Sequence, residues 1–377
     1  MTEAKPLEPS APGSPDVEIA TLEPLMPTPV PEPEVVLPPA PAVQSTRRLL
    51  GASFDLLTQS TAAMRRASFY IGAIVLATAG PLAIATIVLD VTSPRGLEDF
   101  DRIARTAAAA WYGLLAILAY AGLIVAAVES RTMAVAILGG RYAGRPIGVT
   151  AALARSRMAF WRAVAASIIV TVPVSIATNI VDSAVVRLSN GSTGASLIVA
   201  FVIGILIGAP LAYLLTGIVL GDVGAIEATR RSIRVFKARK MAAALVAGFE
   251  FLAIGFVILG LGAGLGLVVE VTDALGIGTH SGPLALALIA AGVVVAVFAF
   301  GTLIFTALAI SIAPQVVMFV GLTHATIGLD HVRPGGDHDP AVRRKGHRPF
   351  HWLPIPMWLG IGFGIIGLFG LIVTLSS

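Results

Sequence analysis

The chain contains no cysteine. That excludes disulfides, thiolate metal sites and cysteine nucleophiles. Charge is also scarce: Asp, Glu, Lys and Arg make up 13% of 377 residues, where a soluble domain carries about 25%. With 56% apolar residues and a mean hydropathy of +0.87, that scarcity excludes a water-soluble globule and disorder over most of the length. The sequence lacks a Gly-rich phosphate loop closing on Lys-Ser/Thr, a His-Glu-x-x-His and a Gly-x-Ser-x-Gly. The expectation is therefore a protein with no enzymatic activity, cofactor or metal. What remains is a polytopic membrane protein: an all-α transmembrane helical bundle of about seven spans, with interfacial amphipathic helices. The net charge of +4 and pI of about 9.7 then report loops at a membrane surface, not nucleic-acid binding.

Residues 1–45 are a different material. They hold half of the chain's 24 prolines, and their acidic residues face a single cation, Lys5. Such a segment lacks the apolar surface that offsets ordering entropy, so it reads as a disordered, acidic, extended tail. No basic start precedes an apolar run there, so it is not a signal peptide. Residues 46–67 read as a helix on the membrane surface, or as a plain lead-in to the first span. Leu50, Phe54, Leu57 and Met64 recur at helical spacing between arginines.

A membrane helix needs about 20 apolar residues. Such runs lie at about 69–90, 108–128, 163–184, 196–220, 242–268, 284–312 and 354–375. The second and sixth continue as apolar stretches to about 139 and 322, either as tilted continuations or as interfacial segments. The membrane domain then occupies 46–330, a basic His-rich loop 331–353 and a final span 354–377. Of 26 Lys and Arg, only Arg95, Arg102, Arg105 and Arg187 fall in the alternate connections. The other connections, Arg131 among their cations, are therefore assigned to the cytoplasm, along with the N-terminus. The Ala, Gly, Val and Arg bias suits a GC-rich bacterial genome, hence a bacterial plasma membrane.

Two basic connections resemble each other. Gly148/Gly224, Ala152/Ala228, Arg155/Arg231, Ser156/Ser232 and Phe160/Phe236 coincide in order. This points to two related helix pairs, each joined by a basic amphipathic segment. The second copy, Gly224-Ala-Ile-Glu-Ala-Thr-Arg-Arg-Ser-Ile-Arg-Val-Phe-Lys, resembles the G-x-x-E-A-x-x-R-S signature of a broad bacterial membrane family. That family includes the membrane domain of glycerophosphoryl diester phosphodiesterases. Asp55 with Arg65-Arg66-Ala-Ser-Phe69, and Leu329-Asp330-His331-Val332-Arg333, are similar to the family's start and close. The resemblance covers about 46–335. The family's hydrolase lies in a separate soluble domain with no counterpart in this chain, so the resemblance implies a non-catalytic membrane module.

Among residues that could carry chemistry, Glu250 stands out. It lies about 15 Å past Lys240, near the midplane of its span. A carboxylate there is costly unless protonated, paired or wet. It reads as a proton or cation site, or as a group bonded to a neighbouring helix. Thr171, Ser175, Thr178, Asn179 and Asp182 fall largely on one face of the third span. They could line a wet path with Glu250, or bond across helices and to their own backbone. Gly204/Gly208, Gly217/Gly221, Gly260/Gly264 and Gly360/Gly364 suit close helix packing. Pro81, Pro173, Pro210 and Pro314 interrupt backbone bonding in or near spans. His324, His331, His338, His347 and His351 sit around a Pro- and Gly-containing loop and read as soluble basic surface rather than a metal site.

The basic segments 150–162 and 223–240 are expected to meet anionic headgroups through Arg155, Arg230, Arg231, Arg234 and Lys237. Two functions follow. One is a non-catalytic scaffold, assembly or lipid-interacting module, with membrane lipids and a membrane protein as partners. The alternative is a transporter or channel for a small solute or lipid using Glu250, Asn179, Thr171 and Ser175.

Overall fold

The computed structural model describes residues 46–92, 102–188, 193–274, 283–327, 331–335 and 364. The expected tail over 1–45, the loop over 336–353 and, Gly364 apart, the seventh expected span lie outside the described residues. Among the described residues there is no strand. The order is α1 (Thr46–Gln59), α2 (Thr61–Thr92), α3 (Arg102–Tyr142), α4 (Val149–Leu188), α5 (Thr193–Gly208), a 3-10 turn (Ala209–Leu211), α6 (Leu214–Gly221), α7 (Ala225–Ala238), α8 (Lys240–Ala274) and α9 (Pro283–Ile327).

Five stretches are long and apolar enough to cross a membrane: Thr61–Thr86, Arg105–Tyr142, Val149–Val185, Ile198–Gly221 and Ala291–Thr323. The chain is accordingly a membrane protein. These stretches coincide with the first four and the sixth expected spans. The fifth expected span lies within α8, which is helical throughout.

The apolar extensions at 139 and 322 are continuations of α3 and α9. At 41 and 45 residues these helices measure about 61 and 67 Å, roughly twice the thickness of bilayer hydrocarbon. Their C-terminal parts are buried on every side. Met133 through Leu138 and Val316 through Val320 are each at most 7% exposed. The other ends of the bundle are open: Ile117, Tyr120, Ile176, Ile180, Val295 and Leu303 face outward.

The helices can approach because small residues stand where they meet. A Cβ on Gly122 of α3 would collide with Thr78 of α2, and one on Gly301 of α9 would fall 2.7 Å from the Gly72 Cα. The glycines at 204, 208 and 217 likewise face Phe251, Ala247 and Ala228 of the same chain. Pro81, Pro173 and Pro314 sit inside α2, α4 and α9. Pro210 instead falls in the 3-10 turn that divides α5 from α6.

In α1 the stripe turned inward is Leu49, Ser53, Leu56 and Ser60, while Phe54 is 56% exposed. The expected stripe lies beside it, with Phe54 outward and Leu57 and Met64 partly buried against the core. One local expectation, for Arg131, needs correction. Arg131 is not a connection cation: it lies eleven positions inside the end of α3.

Candidate functional site

The sequence Glu129-Ser130-Arg131-Thr132 forms a polar belt around α3. Four successive residues of a helix point in four directions, so this belt meets several neighbours at once. Glu129 is fully buried, with Oε1 3.5 Å from Arg157 Nε on α4, and Arg157 donates through Nη2 to Tyr70 Oη on α2 at 2.9 Å. Thr132 shares a short hydrogen bond with Ser156 of α4. Arg131 reaches α8, where its Nη2 donates to Glu250 Oε1 at 2.6 Å. The second carboxylate oxygen of Glu250 accepts from Gln315 Nε2 of α9 at 3.0 Å.

This trio borders a cavity of about 210 Å³. Its sides come from α3, α4, α5, α8 and α9, and its floor from the 3-10 turn and the start of α6. The walls are mostly apolar, Val170, Val174, Leu215 and Phe251 among them, and Thr171 of α4 joins them. The structure thus brings Glu250 and Thr171 to one cavity. Ser175 and Asn179 are exposed on α4, one and two turns beyond Thr171, and do not line it. Thr178 Oγ1 donates to its own helix at Val174 O. The side chain of Asp182 lies outside the described residues.

A second polar assembly lies at the opposite ends of α3 and α4 from their exposed isoleucines. Asp222 follows α6 in the left-handed conformation, φ 51°, which a short polar side chain tolerates. Its Oδ1 lies 3.3 Å from Arg155 Nη2 and 3.0 Å from Arg162 Nη2, and its Oδ2 lies 3.8 Å from Arg333 Nη1. The last carbonyls of a helix have no partner within it. Here Val219 O accepts from Arg155 Nε at 2.8 Å and Leu220 O from the Arg333 backbone N–H at 2.7 Å. Arg155 was expected at lipid headgroups. Its side chain is instead fully buried, held by the end of α6, and cannot reach a membrane surface.

The remaining expected lipid contacts are on α7. Its inward face carries Ala228 and Ser232. Ser232 donates to Pro210 O at 2.7 Å and accepts from Tyr213 N–H at 3.2 Å. The opposite face exposes Ile226 and Ile233 together with Arg230, Arg234 and Lys237. Arg231 is half-buried and donates through Nε to Glu227 Oε1 at 3.0 Å, with Arg234 Nη2 3.4 Å from the same oxygen. The hydrogen bond from Arg231, then the surrounding guanidinium charge, holds the Glu227 carboxyl below its ordinary range.

The two similar basic segments start alike. Gly148 and Gly224 directly precede α4 and α7, and each carbonyl accepts the first helical bond, from Ala152 and Ala228. Ser156 and Ser232 are both buried against a preceding element. Arg155 and Arg231 differ, one buried and one at the surface. Of the histidines, His331 is exposed, and no group of three metal-ligating side chains occurs among the described residues. The Arg131–Glu250–Gln315 trio left no trace in the sequence reading beyond Glu250 itself, because its members are scattered along the chain. Compared with known proteins, the chain matches no family model, no curated protein and no solved structure.

Proposed function

We propose that this chain is a non-catalytic membrane module of the bacterial plasma membrane that binds anionic lipid along α7 and serves as a scaffold or assembly factor. In this reading the arginine-rich end is cytoplasmic, the N-terminus lies there too, and the bundle has about seven spans. The carrying observation is the outer face of α7. That helix lies between the apolar stretch Ile198–Gly221 and the long apolar α8, and exposes two isoleucines among three cations. Isoleucines entering the acyl boundary beside Arg and Lys reaching phosphate is the arrangement of an interfacial helix. The likeness of Gly224–Lys237 to a membrane-module signature supports the same reading.

Native mass spectrometry of protein released gently from its membrane tests it. Each cation near an anionic surface contributes about 1 kcal/mol. Reversing Arg230, Arg234 and Lys237 to Glu should therefore weaken retention of phosphatidylglycerol relative to phosphatidylcholine by two orders of magnitude or more. Equal retention of both lipids by the unaltered protein would remove the lipid reading. A co-retained protein would identify the scaffold's client.

A further inference from the structure

The cavity above the 3-10 turn is unused by the α7 reading, and its chemistry is specific. Each Glu250 oxygen already accepts one hydrogen bond, one from Arg131 and the other from Gln315. Arg131 is less fully engaged. Among the described residues its one polar partner is Glu250, reached through one nitrogen, and a guanidinium carries five N–H donors. A structural Arg–carboxylate pair commonly closes through two parallel bonds. This one is single and stays open, with 24% and 26% of the two side chains exposed. The spare groups of Arg131 are all donors, so a ligand that engages it must bring an acceptor.

Charge narrows the choice. Arg131 and Glu250 already neutralise each other, and a further charge among apolar helices would be uncompensated. The acceptor is therefore uncharged. The walls narrow it again: Val170, Val174, Leu215 and Phe251 suit an alkyl chain. A volume of about 210 Å³ lies below the roughly 300–1,000 Å³ of drug-sized pockets, so the cavity holds a segment of one chain and not two chains side by side. We infer that this cavity binds a single-chain acyl ester, its carbonyl accepting from Arg131 and its chain lying against Val170, Val174 and Phe251.

The test is titration of the full-length protein in phosphatidylcholine nanodiscs, read by native mass spectrometry. Monooleoylglycerol should bind at least tenfold more tightly than oleyl alcohol, which has the chain but no carbonyl. Equal affinity for the two would overturn the inference. Lysophosphatidylglycerol carries the same ester under a charged head and should bind less well than monooleoylglycerol; tighter binding would overturn the selection for an uncharged end. Arg131→Lys keeps the charge and loses the fork, and should cost about tenfold. Should that variant fail to fold, Val174→Trp fills the cavity from its wall and should abolish monooleoylglycerol binding with helix content unchanged. Undiminished binding by Val174→Trp would place the ligand elsewhere. Reversing the α7 cations should leave the titration unchanged, which separates this site from the headgroup surface.

Discussion

Asp222 is the residue on which most of the arginine-rich end depends. It faces three arginines, one of them fully buried. Removing one partner of a buried ion pair costs about 3–5 kcal/mol, because the other charge is left uncompensated. Asp222→Asn retains a side chain that tolerates the left-handed backbone and removes the charge. It should lower unfolding free energy in detergent by about 3 kcal/mol, measured by denaturant titration. Glu227 behaves differently because it is at the surface. Its carboxyl is held below the ordinary range, so its bond to Arg231 persists as pH falls through the usual carboxylate value near 4.5 and is lost only below that. Once Glu227 is protonated, the net charge of α7 rises from +3 to +4. Glu227→Gln at neutral pH should reproduce that state and tighten phosphatidylglycerol retention in the same native mass spectra; unchanged retention would separate Glu227 from lipid binding.

At the scale of elements, close packing sets the limits. Gly122 is the point where α3 touches α2, and the Thr78 it would strike is buried and bonded to Ile74 O. Thr78 has nowhere to go, so Gly122→Ala should destabilise the protein by about 1–3 kcal/mol. Thermal melts of the variant in one detergent would measure the loss. Ser232 joins α7 to the 3-10 turn through two hydrogen bonds. Ser232→Ala leaves the Tyr213 N–H without that partner and should cost about 1–3 kcal/mol. The spacing marked Ser156 and Ser232 as corresponding positions but gave no sign of their hydrogen bonds. The inward stripe of α1, Leu49 and Leu56, was not singled out, because paired leucines at 49–50 and 56–57 satisfy two neighbouring stripes equally. Arg131 was misassigned for a related reason. Glu129, Arg131 and Arg141 look like the start of a loop, and only the carboxylate 119 positions away shows why a cation belongs inside the helix.

The described residues divide into two zones along the helices. Toward the arginine-rich end, α3 and α9 are encased by protein; toward the other, apolar side chains point outward. Hydropathy reads both zones as one material, which is why apolar runs located α3 and α9 but could not tell where lipid gives way to protein. The absence of native cysteine makes this division directly testable. Single spin-labelled cysteines at Ile117, Ile176 and Leu206 should be more accessible to oxygen than to a water-soluble relaxant. A label at Arg234 should show the reverse. Equal accessibility at all four would rule out a bilayer around the open half.

The polar belt of α3 also bears on biosynthesis. Arg131 leaves the ribosome 119 residues before Glu250, its partner on α8. At about 5–20 residues per second, translation separates them by on the order of 10 s. During that interval the nascent third helix carries a cation with no carboxylate to meet it. A chain arrested before residue 250 would therefore carry an arginine without the partner that the finished fold gives it.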